Sequence, residues 1–322
     1  MKFTKILIEF FKLFFDNRKS KKKIISISES SEFDYSLHEL FSEAEYKKII
    51  ENAILVNHAI LQPLCFLLGR KPSSIETKLQ ILISFCSSIQ DNLVDSPNRE
   101  NYDKKNDLIQ QMGVFIRSNI PNRELFELFL KNTAEAQNRS KEQFNENISL
   151  NELEQITFSK CGNAFLVIRS ILPEPIILNE TEAIYQYGGT AQIGDDILDL
   201  YDDISNKQYT LATNLELKQL TELFNNELIK TYSGFYMTKH DLKNIRKAVM
   251  RISIFLSVFN LGLKRYEKLN INTTDRERIR RMERTHFIID MAKAGNIFKL
   301  FLEVLKTTSY INRNIEKQKF LF

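Results

Sequence analysis

Helical periodicity constrains this chain more than any other feature. Apolar residues recur at spacings of three and four along almost all of the sequence after residue 36, and no segment shows sustained two-residue alternation. All six prolines fall before residue 176, and the 322 residues include only nine glycines. Few positions therefore interrupt helices in the second half of the chain. The pattern predicts an all-α protein with long helices.

The periodicity and its breaks predict ten helices and two segments. Residues 1–35 form an N-terminal segment whose serine-rich, charged part over 20–33 is predicted to be a linker. Residues 36–322 show no internal repeat and no change of composition, which favours one large helical domain. The predicted helices are 36–53, 54–69, 75–95, 103–118, 123–145, 150–171, 180–204, 213–230, 238–268 and 274–309.

Composition narrows the class of protein. The hydrophobic share of 43% and the charged share of 27% are typical of a globular chain. A net charge of +4 is small for this length, so we expect no nucleic-acid partner. The three cysteines and four histidines are scattered and lack the spacing of zinc ligands. Reduced thiols, and hence a cytoplasmic protein, are the expectation.

The N-terminal segment leaves two interpretations open. Residues 2–15 are rich in phenylalanine, leucine and isoleucine, and basic residues follow up to residue 23. Glu9 and Lys12 interrupt the apolar run, which is too short to span a bilayer, and no cleavage motif follows it. An amphipathic helix with a basic flank could make peripheral membrane contact through residues 2–23. A helix packed on the body of the protein is the alternative.

The first acidic motif, residues 91–95, closes an apolar helix. Asp91 and Asp95 are four residues apart and therefore lie on one helical face. Ser96 and Pro97 follow at once, which places the pair at the C-terminal end of the helix. The helix dipole is negative there, so two carboxylates are unfavourable unless a cation binds them.

The second acidic motif, residues 192–203, is richer in carboxylates. At 100° per residue, five of its side chains fall within an arc of about 100°: Gln192, Asp195, Asp196, Asp199 and Asp203. No lysine or arginine occurs between Arg169 and Lys207. Like charges four residues apart repel by about 0.2–0.5 kcal/mol per pair even when exposed. Something outside the local sequence must therefore neutralise this face.

Clustered carboxylates are ligands suited to magnesium, which takes one or two of them together with waters and substrate phosphates. We predict more than one magnesium ion, held by Asp91 and Asp95 from one helix and by Asp195, Asp196, Asp199 and Asp203 from the other. Spacing alone is weak evidence, because Asp103 and Asp107 are also four apart. Lysines separate that pair, so it is predicted to be a solvated helix face.

These residues resemble the class I isoprenoid synthases. Gln192-Ile-Gly-Asp195-Asp196-Ile-Leu-Asp199 is similar to the second aspartate-rich motif of trans-prenyl diphosphate synthases. Asp91-Asn92-Leu-Val-Asp95 is similar to their first motif, with asparagine replacing the second aspartate, and equally to the motif of squalene and phytoene synthases. The spacing of Asp195, Asp199 and Asp203 also matches the metal triad of terpene cyclases. The resemblance is specific over residues 85–95 and 188–212.

The resemblance implies a single large antiparallel helix bundle around a deep apolar cavity, with the two motifs facing each other at its mouth. It implies a prenyl diphosphate substrate, and homodimers are common among such enzymes. Lys160 matches in position the diphosphate-contacting lysine of the family, Lys207 the loop lysine after the second motif and, more loosely, Arg99 the arginines after the first. Gln192 and Asp196 are expected to orient ligands. Candidate cavity-wall residues are Phe85, Phe158, Phe165, Tyr185, Phe255 and Phe259.

Three functions stay open at this point. Chain-elongating synthases carry a Gly-Lys-x-x-Arg signature for a second diphosphate, and the nearest segment here, Gly69-Arg70-Lys71-Pro72, matches it poorly. We therefore expect a terpene synthase that ionises one allylic prenyl diphosphate to a carbocation and releases diphosphate. A prenyltransferase, chain-elongating or head-to-head, is the alternative. A non-catalytic helical protein that binds a cation or a lipid is the third.

Overall fold

The computed structural model describes residues 18–95, 101–291 and 293–318, and within these ranges every regular element is helical, which confirms the all-α prediction. A π-helical turn occupies Asn57–Leu61, and short 3-10 turns occupy Ser140–Phe144 and Arg284–His286. The helices are α1 over 18–28, α2 Leu37–Leu40, α3 Glu43–Val56, α4 Gln62–Leu67, α5 Ser74–Asp95, α6 Tyr102–Asn119, α7 Arg123–Arg139, α8 Leu150–Ser170, α9 Glu180–Leu198, α10 Leu200–Ser205, α11 Leu211–Asn214, α12 Leu217–Met237, α13 Leu242–Lys268, α14 Arg276–Arg281 and α15 Ala294–Gln318.

Several helices begin where a capping side chain satisfies their first amide groups. Ser149 accepts from the amide of Glu152 at the start of α8, and Glu152 accepts from the amide of Ser149 in return. Ser42 and Glu45 form the same reciprocal pair at the start of α3. Such capping boxes satisfy two amides that a helix otherwise leaves unpaired. They fix the starts of α3 and α8; α8 begins where helix 150–171 was predicted to begin, whereas the predicted helix 36–53 is divided into α2 and α3.

Helices α3 and α4 form one rod through the π-helical turn, although the sequence predicted two helices meeting at residues 53 and 54. Pro63 has no amide hydrogen, so the carbonyl of Ala59 loses its helical partner. The Tyr187 hydroxyl, from α9, donates to that carbonyl at 2.6 Å. By length and composition the span Glu43–Leu67 could cross a membrane, but 67% of its apolar window is buried inside the protein. Its apolar character is explained by the core.

Helices α8 and α9 form the central antiparallel hairpin. A Cβ on Gly188 would lie 2.4 Å from the carbonyl oxygen of Cys161, so glycine lets the two backbones approach closely. The ring of Phe158 occupies the space beside Gly189 in the same way. Helices α12 and α13 pack on α9, α7 packs on α8, and α5 packs on α3 and α6. The hairpin thus carries Lys160 and the second acidic motif on two adjacent helices.

Several other predicted elements differ from the structure, among them the predicted helix 213–230, whose place is taken by α11 and by the longer α12. Residues 18–28, predicted to be partly linker, are helical, and Ile24 is buried in the core. The predicted helix 180–204 is interrupted at Asp199, and the predicted helix 274–309 is divided into α14, a 3-10 turn and α15. In each case long-range packing decides the outcome. The division of the chain at residue 35 stays a prediction, and residues 2–17 lie outside the described residues.

Candidate acidic metal centre

The second acidic motif bends at its middle. Helix α9 ends at Leu198, Asp199 has φ −91° and ψ 6°, and α10 begins at Leu200. The amide of Asp199 still donates to the carbonyl of Asp195, and the amide of Asp203 donates to that of Asp199. The bend therefore keeps the four-residue spacing of these three acids while it changes the direction of the helix between them.

Asp195 and Asp199 are the accessible acids of the second acidic motif. Both side chains reach solvent. Desolvation by the surrounding protein nevertheless raises the pKa of Asp195, and desolvation with repulsion from Asp195 and Asp202 raises that of Asp199 to about 6. Their carboxylates are therefore open to a small charged ligand that approaches from solvent.

Asp196 and Asp203 lie behind these two residues and are buried. Desolvation and repulsion from Asp203 raise the pKa of Asp196, and desolvation and repulsion from Asp199 raise that of Asp203 to about 7. Asp203 accepts from the Thr210 hydroxyl at 3.2 Å, and Oδ1 of Asp196 accepts from the Gln192 amide at 3.0 Å. Oδ2 of Asp196 is buried without a hydrogen-bond partner. An orphaned carboxylate oxygen beside other carboxylates marks a place where positive charge is missing.

Gln192 ties the motif to α8. Its amide nitrogen donates to Asp195 at 3.2 Å as well as to Asp196, and its oxygen accepts from the Cys161 thiol at 2.9 Å. A single buried side chain thereby fixes two neighbouring carboxylates. The role of Gln192 and Asp196 in orienting ligands stays a prediction.

Cations near the second acidic motif act on it through space. Lys160, half-buried on α8, lowers the pKa of Asp195, Asp196 and Asp203 against the larger effect of desolvation. Lys48, exposed on α3, acts likewise on Asp199. Across the described residues, no lysine or arginine forms a salt bridge with Asp195, Asp196, Asp199 or Asp203. The positive charges present do not neutralise the four acids by direct contact.

Lys48 was missed in the sequence. It lies in Glu-Tyr-Lys-Lys, an ordinary surface-like stretch of α3, and is 151 residues from Asp199. Arg284, 82 residues beyond Asp202, pairs with that residue in the middle of the motif. No local pattern could have identified either contact, because both depend on how distant helices pack.

The first acidic motif lies at the end of α5, as predicted. Asp91 is exposed, and Asp95 is the last residue of the helix. Asn92, at the position of the family's second aspartate, donates to Glu45 at 2.8 Å and accepts from the buried Lys105 at 2.9 Å. Its amide is therefore fully engaged in joining α5 to α3 and α6. Asn92 serves to hold the motif in place.

Other predicted residues have different outcomes. Lys207 is exposed in the turn after α10 with φ 57°, and Arg99 lies outside the described residues. Arg70 pairs with Glu76 and Glu174, so the poorly matched signature at Gly69 is engaged in ion pairs.

The donor set fits magnesium. No three His, Cys, Asp or Glu side chains converge into a complete metal site within the described ranges. Magnesium does not require one, because it takes few protein carboxylates and completes its shell with waters and phosphates. The unpartnered Oδ2 of Asp196 and the accessible Asp195 and Asp199 provide hard oxygen donors. These residues could hold the ion, with the diphosphate of a substrate as a further ligand.

Aromatic rings fill the bundle next to the second acidic motif. The ring of Phe259 occupies the space beside Gly194 and lies edge-on to Phe255, and Tyr187 lies edge-on to Phe165. Phe85 is fully buried, while Phe158 and Tyr185 are half-buried. A cavity of about 380 Å³ lies elsewhere, between α12, α13 and α15. The deep apolar cavity that the resemblance implies stays a prediction.

Comparison with known proteins gives little beyond the helical class. No protein-family model matches the chain, and no curated protein is similar to it in sequence. A solved structure of a heptaprenyl diphosphate synthase from Staphylococcus aureus aligns with 96% of this chain and 98% of its own, at 12% identity and a TM-score of 0.42. A likeness of this degree carries no inference about activity.

Proposed function

We propose that this chain is a magnesium-dependent enzyme that ionises a prenyl diphosphate, and more specifically a class I terpene synthase. The observation that carries the proposal is the second acidic motif. Four neighbouring carboxylates, two accessible and two buried, form no salt bridge in the described part of the chain, and Oδ2 of the buried Asp196 lacks a hydrogen-bond partner. A structural cluster of this kind would repel itself, whereas a metal–diphosphate site requires it.

Residues along the α8–α9 hairpin would have distinct roles in binding the metal and the diphosphate. Asp195 and Asp199 are the accessible donors and Asp196 and Asp203 the buried ones behind them, while Gln192 fixes the orientation of Asp195 and Asp196. Lys160 would contact the diphosphate from α8 and offset its charge. When bound, magnesium supplies Lewis-acid stabilisation of the negative charge that develops on the leaving diphosphate. The first acidic motif would contribute Asp91 and Asp95 from the other side.

Ionisation breaks the allylic carbon–oxygen bond, and its electron pair leaves with the diphosphate oxygen. The carbocation that remains needs a site that excludes water and offers aromatic faces. The rings of Phe255, Phe259 and Tyr187 next to Gly194 are the nearest such faces that the structure describes. Rearrangement and loss of a proton would then complete a terpene synthase reaction without a second substrate.

A prenyltransferase is the second candidate, and Lys48 is the observation that favours it. This lysine adds a cation from α3 whose charge acts on both Asp199 and Asp202. A second diphosphate would need cations beyond Lys160, and the sequence did not identify Lys48 as one. The two candidates differ in whether a second isoprenoid is required.

The deciding experiment measures diphosphate release with magnesium and geranyl, farnesyl or geranylgeranyl diphosphate, with and without isopentenyl diphosphate. Hydrocarbon or alcohol products from one allylic substrate alone support the terpene synthase. Longer prenyl diphosphates formed only when isopentenyl diphosphate is present support the chain-elongating prenyltransferase. Condensation of two allylic molecules into one product indicates the head-to-head reaction.

The matched variants are Asp195→Asn/Asp199→Asn and Asp103→Asn/Asp107→Asn. Both remove two carboxylates four residues apart, but the second pair lies on the exposed face of α6. We expect the first variant to lose at least about 10³-fold in rate, because several kcal/mol of charge stabilisation disappear. The second should retain the wild-type rate. Equal activity in both variants would overturn the proposed metal centre.

A further inference from the structure

The bend of the second acidic motif is held from outside the motif. Three contacts reach it from the segment that follows α13 or from α13 itself. The Tyr266 hydroxyl donates to the carbonyl of Ile197. Arg280 donates to the carbonyl of Ile204, directly after Asp203, at 3.0 Å. Arg284 pairs with Asp202. Partners 69 to 82 residues away therefore contact α9 and α10 on either side of the bend.

The pairing of Arg284 with Asp202 is bidentate. Nε of Arg284 donates to both carboxylate oxygens at 2.8 and 3.1 Å, and Nη2 donates to Oδ2 at 2.6 Å. Two parallel bonds of this kind fix the orientation of both groups as well as their distance. Asp202 is the acid of residues 195–203 that has an arginine partner in the described part of the chain.

Arg284 is itself held rigidly. Arg265, at the end of α13, donates to the carbonyls of Thr285 and His286. Phe287 is buried and packs between the rings of Tyr201 and Tyr266, with centroid distances of 5.3 and 5.7 Å. The 3-10 turn that carries Arg284 is thus docked on both α10 and α13, which explains why helix 274–309 is interrupted.

Stability alone does not account for this ion pair. The side chains of Arg284 and Asp202 are 59% and 40% exposed, and exposed pairs contribute only about 0–1 kcal/mol. Its geometric effect is larger, because Asp202 is one residue from Asp203 and three from Asp199. We propose that Arg284 is a positioning residue for the second acidic motif: its bidentate contact with Asp202 sets the orientation of α10 and with it the placement of Asp199 and Asp203 as metal ligands. This inference rests on the proposed function.

Electrostatics and geometry predict opposite effects of Arg284→Gln on the affinity for a divalent cation. Arg284→Gln removes a positive charge near the acids, so electrostatics alone predicts tighter binding of a divalent cation. Loss of positioning predicts weaker binding. The double variant Arg284→Gln/Asp202→Asn removes one positive and one negative charge, so its net charge equals that of the wild type. Any change in cation affinity of the double variant then reports geometry.

The experiment measures Mn²⁺ binding to the full chain by the electron paramagnetic resonance signal of free Mn²⁺, without substrate. We expect the double variant to bind about tenfold more weakly or worse, as when partners that orient metal ligands are removed. Arg284→Lys keeps the charge but loses the bidentate geometry, and should also weaken binding. The thermal midpoint of each variant should stay within about 4 °C of the wild type, because the exposed pair contributes little to stability.

Arg281→Gln is the matched control. Arg281 lies in the same segment, is 81% exposed and, among the described residues, pairs only with the exposed Glu277, so its loss should leave Mn²⁺ affinity unchanged. Wild-type affinity in the double variant and in Arg284→Lys would overturn the positioning role. If Asp195→Asn/Asp199→Asn loses Mn²⁺ binding in the same assay, such a result overturns the role of Arg284 alone and leaves the proposed metal centre standing. If the wild type binds no Mn²⁺, the positioning role fails together with the proposed metal centre.

Discussion

The two ends of the α8–α9 hairpin differ in whether their buried charges have a counter-charge within the fold. At the loop end, Arg169 and Glu180 are fully buried and form a salt bridge with each other. Arg169 also donates to the carbonyl of Glu174, and Glu180 accepts from the amide of Ile177 and lies 3.2 Å from His240. At the other end, Asp195, Asp196, Asp199 and Asp203 have no comparable partners among the described residues.

Both clusters are built on the α8–α9 hairpin and on α10, which follows it directly, so the difference is not a property of the scaffold. Charges that serve structure are neutralised within the fold, because an unpaired buried charge costs several kcal/mol. Charges left without a counter-charge are tolerated only when something else binds them, or when they retain protons, as the raised pKa values of Asp199 and Asp203 indicate. The loop end is complete in itself, and under the proposed function a cation completes the acidic end.

Breaking the loop end should have the largest effect on stability. Arg169→Ala leaves Glu180 buried without its main partner, and we expect a loss of about 3–5 kcal/mol in the free energy of unfolding. Urea denaturation followed by circular dichroism measures it. Arg117→Ala is the control, since Arg117 pairs with Glu127 and both are 41% exposed, and should cost at most about 1 kcal/mol. Similar costs at the two sites would contradict the contrast between the ends.

Supplying a cation should affect only the acidic end. Magnesium that binds the native state and not the unfolded chain stabilises it by about 2.7 kcal/mol at 100 times its dissociation constant. Urea denaturation with magnesium and with potassium chloride of equal ionic strength separates binding from screening. Asp195→Asn/Asp199→Asn should abolish the gain, and Asp103→Asn/Asp107→Asn should keep it. A gain that persists without Asp195 and Asp199 would place the cation elsewhere.

The local parts of this picture could be predicted from the sequence. Periodicity identified most helices, and the position of Ser96 and Pro97 put Asp91 and Asp95 at the end of α5. The arc that holds Gln192 and the four acids follows from helical geometry alone. These inferences succeed because they depend on residues within a few turns of one another.

The remaining features depend on long-range contacts. The bend at Asp199 is contacted by Tyr266, Arg280 and Arg284, and the π-helical turn before Pro63 is completed by Tyr187, more than 120 residues away. The Arg169–Glu180 pair was also missed, because two charges eleven residues apart across a loop look like ordinary surface residues. A pattern read along the chain cannot show which distant groups complete a helix end or a buried charge.

Substitution of Asp196 should change the free energy of unfolding least, and in the opposite direction to the matching substitution at the loop end. Oδ2 of Asp196 is buried without a hydrogen-bond partner, and desolvation and repulsion from Asp203 raise the pKa of this residue. Asp196→Asn replaces the carboxylate by a neutral amide, which removes the repulsion and can donate a hydrogen bond to a neighbouring oxygen. We expect the metal-free protein to gain about 1 kcal/mol in the free energy of unfolding, measured by urea denaturation with a chelator present. Stabilisation by magnesium should shrink in the same variant, since a donor oxygen is lost.

Glu180→Gln is the counterpart at the loop end, where the same chemical change removes half of a satisfied pair and should destabilise the protein. Destabilisation by both substitutions would mean that the acidic end is as complete without a cation as the loop end.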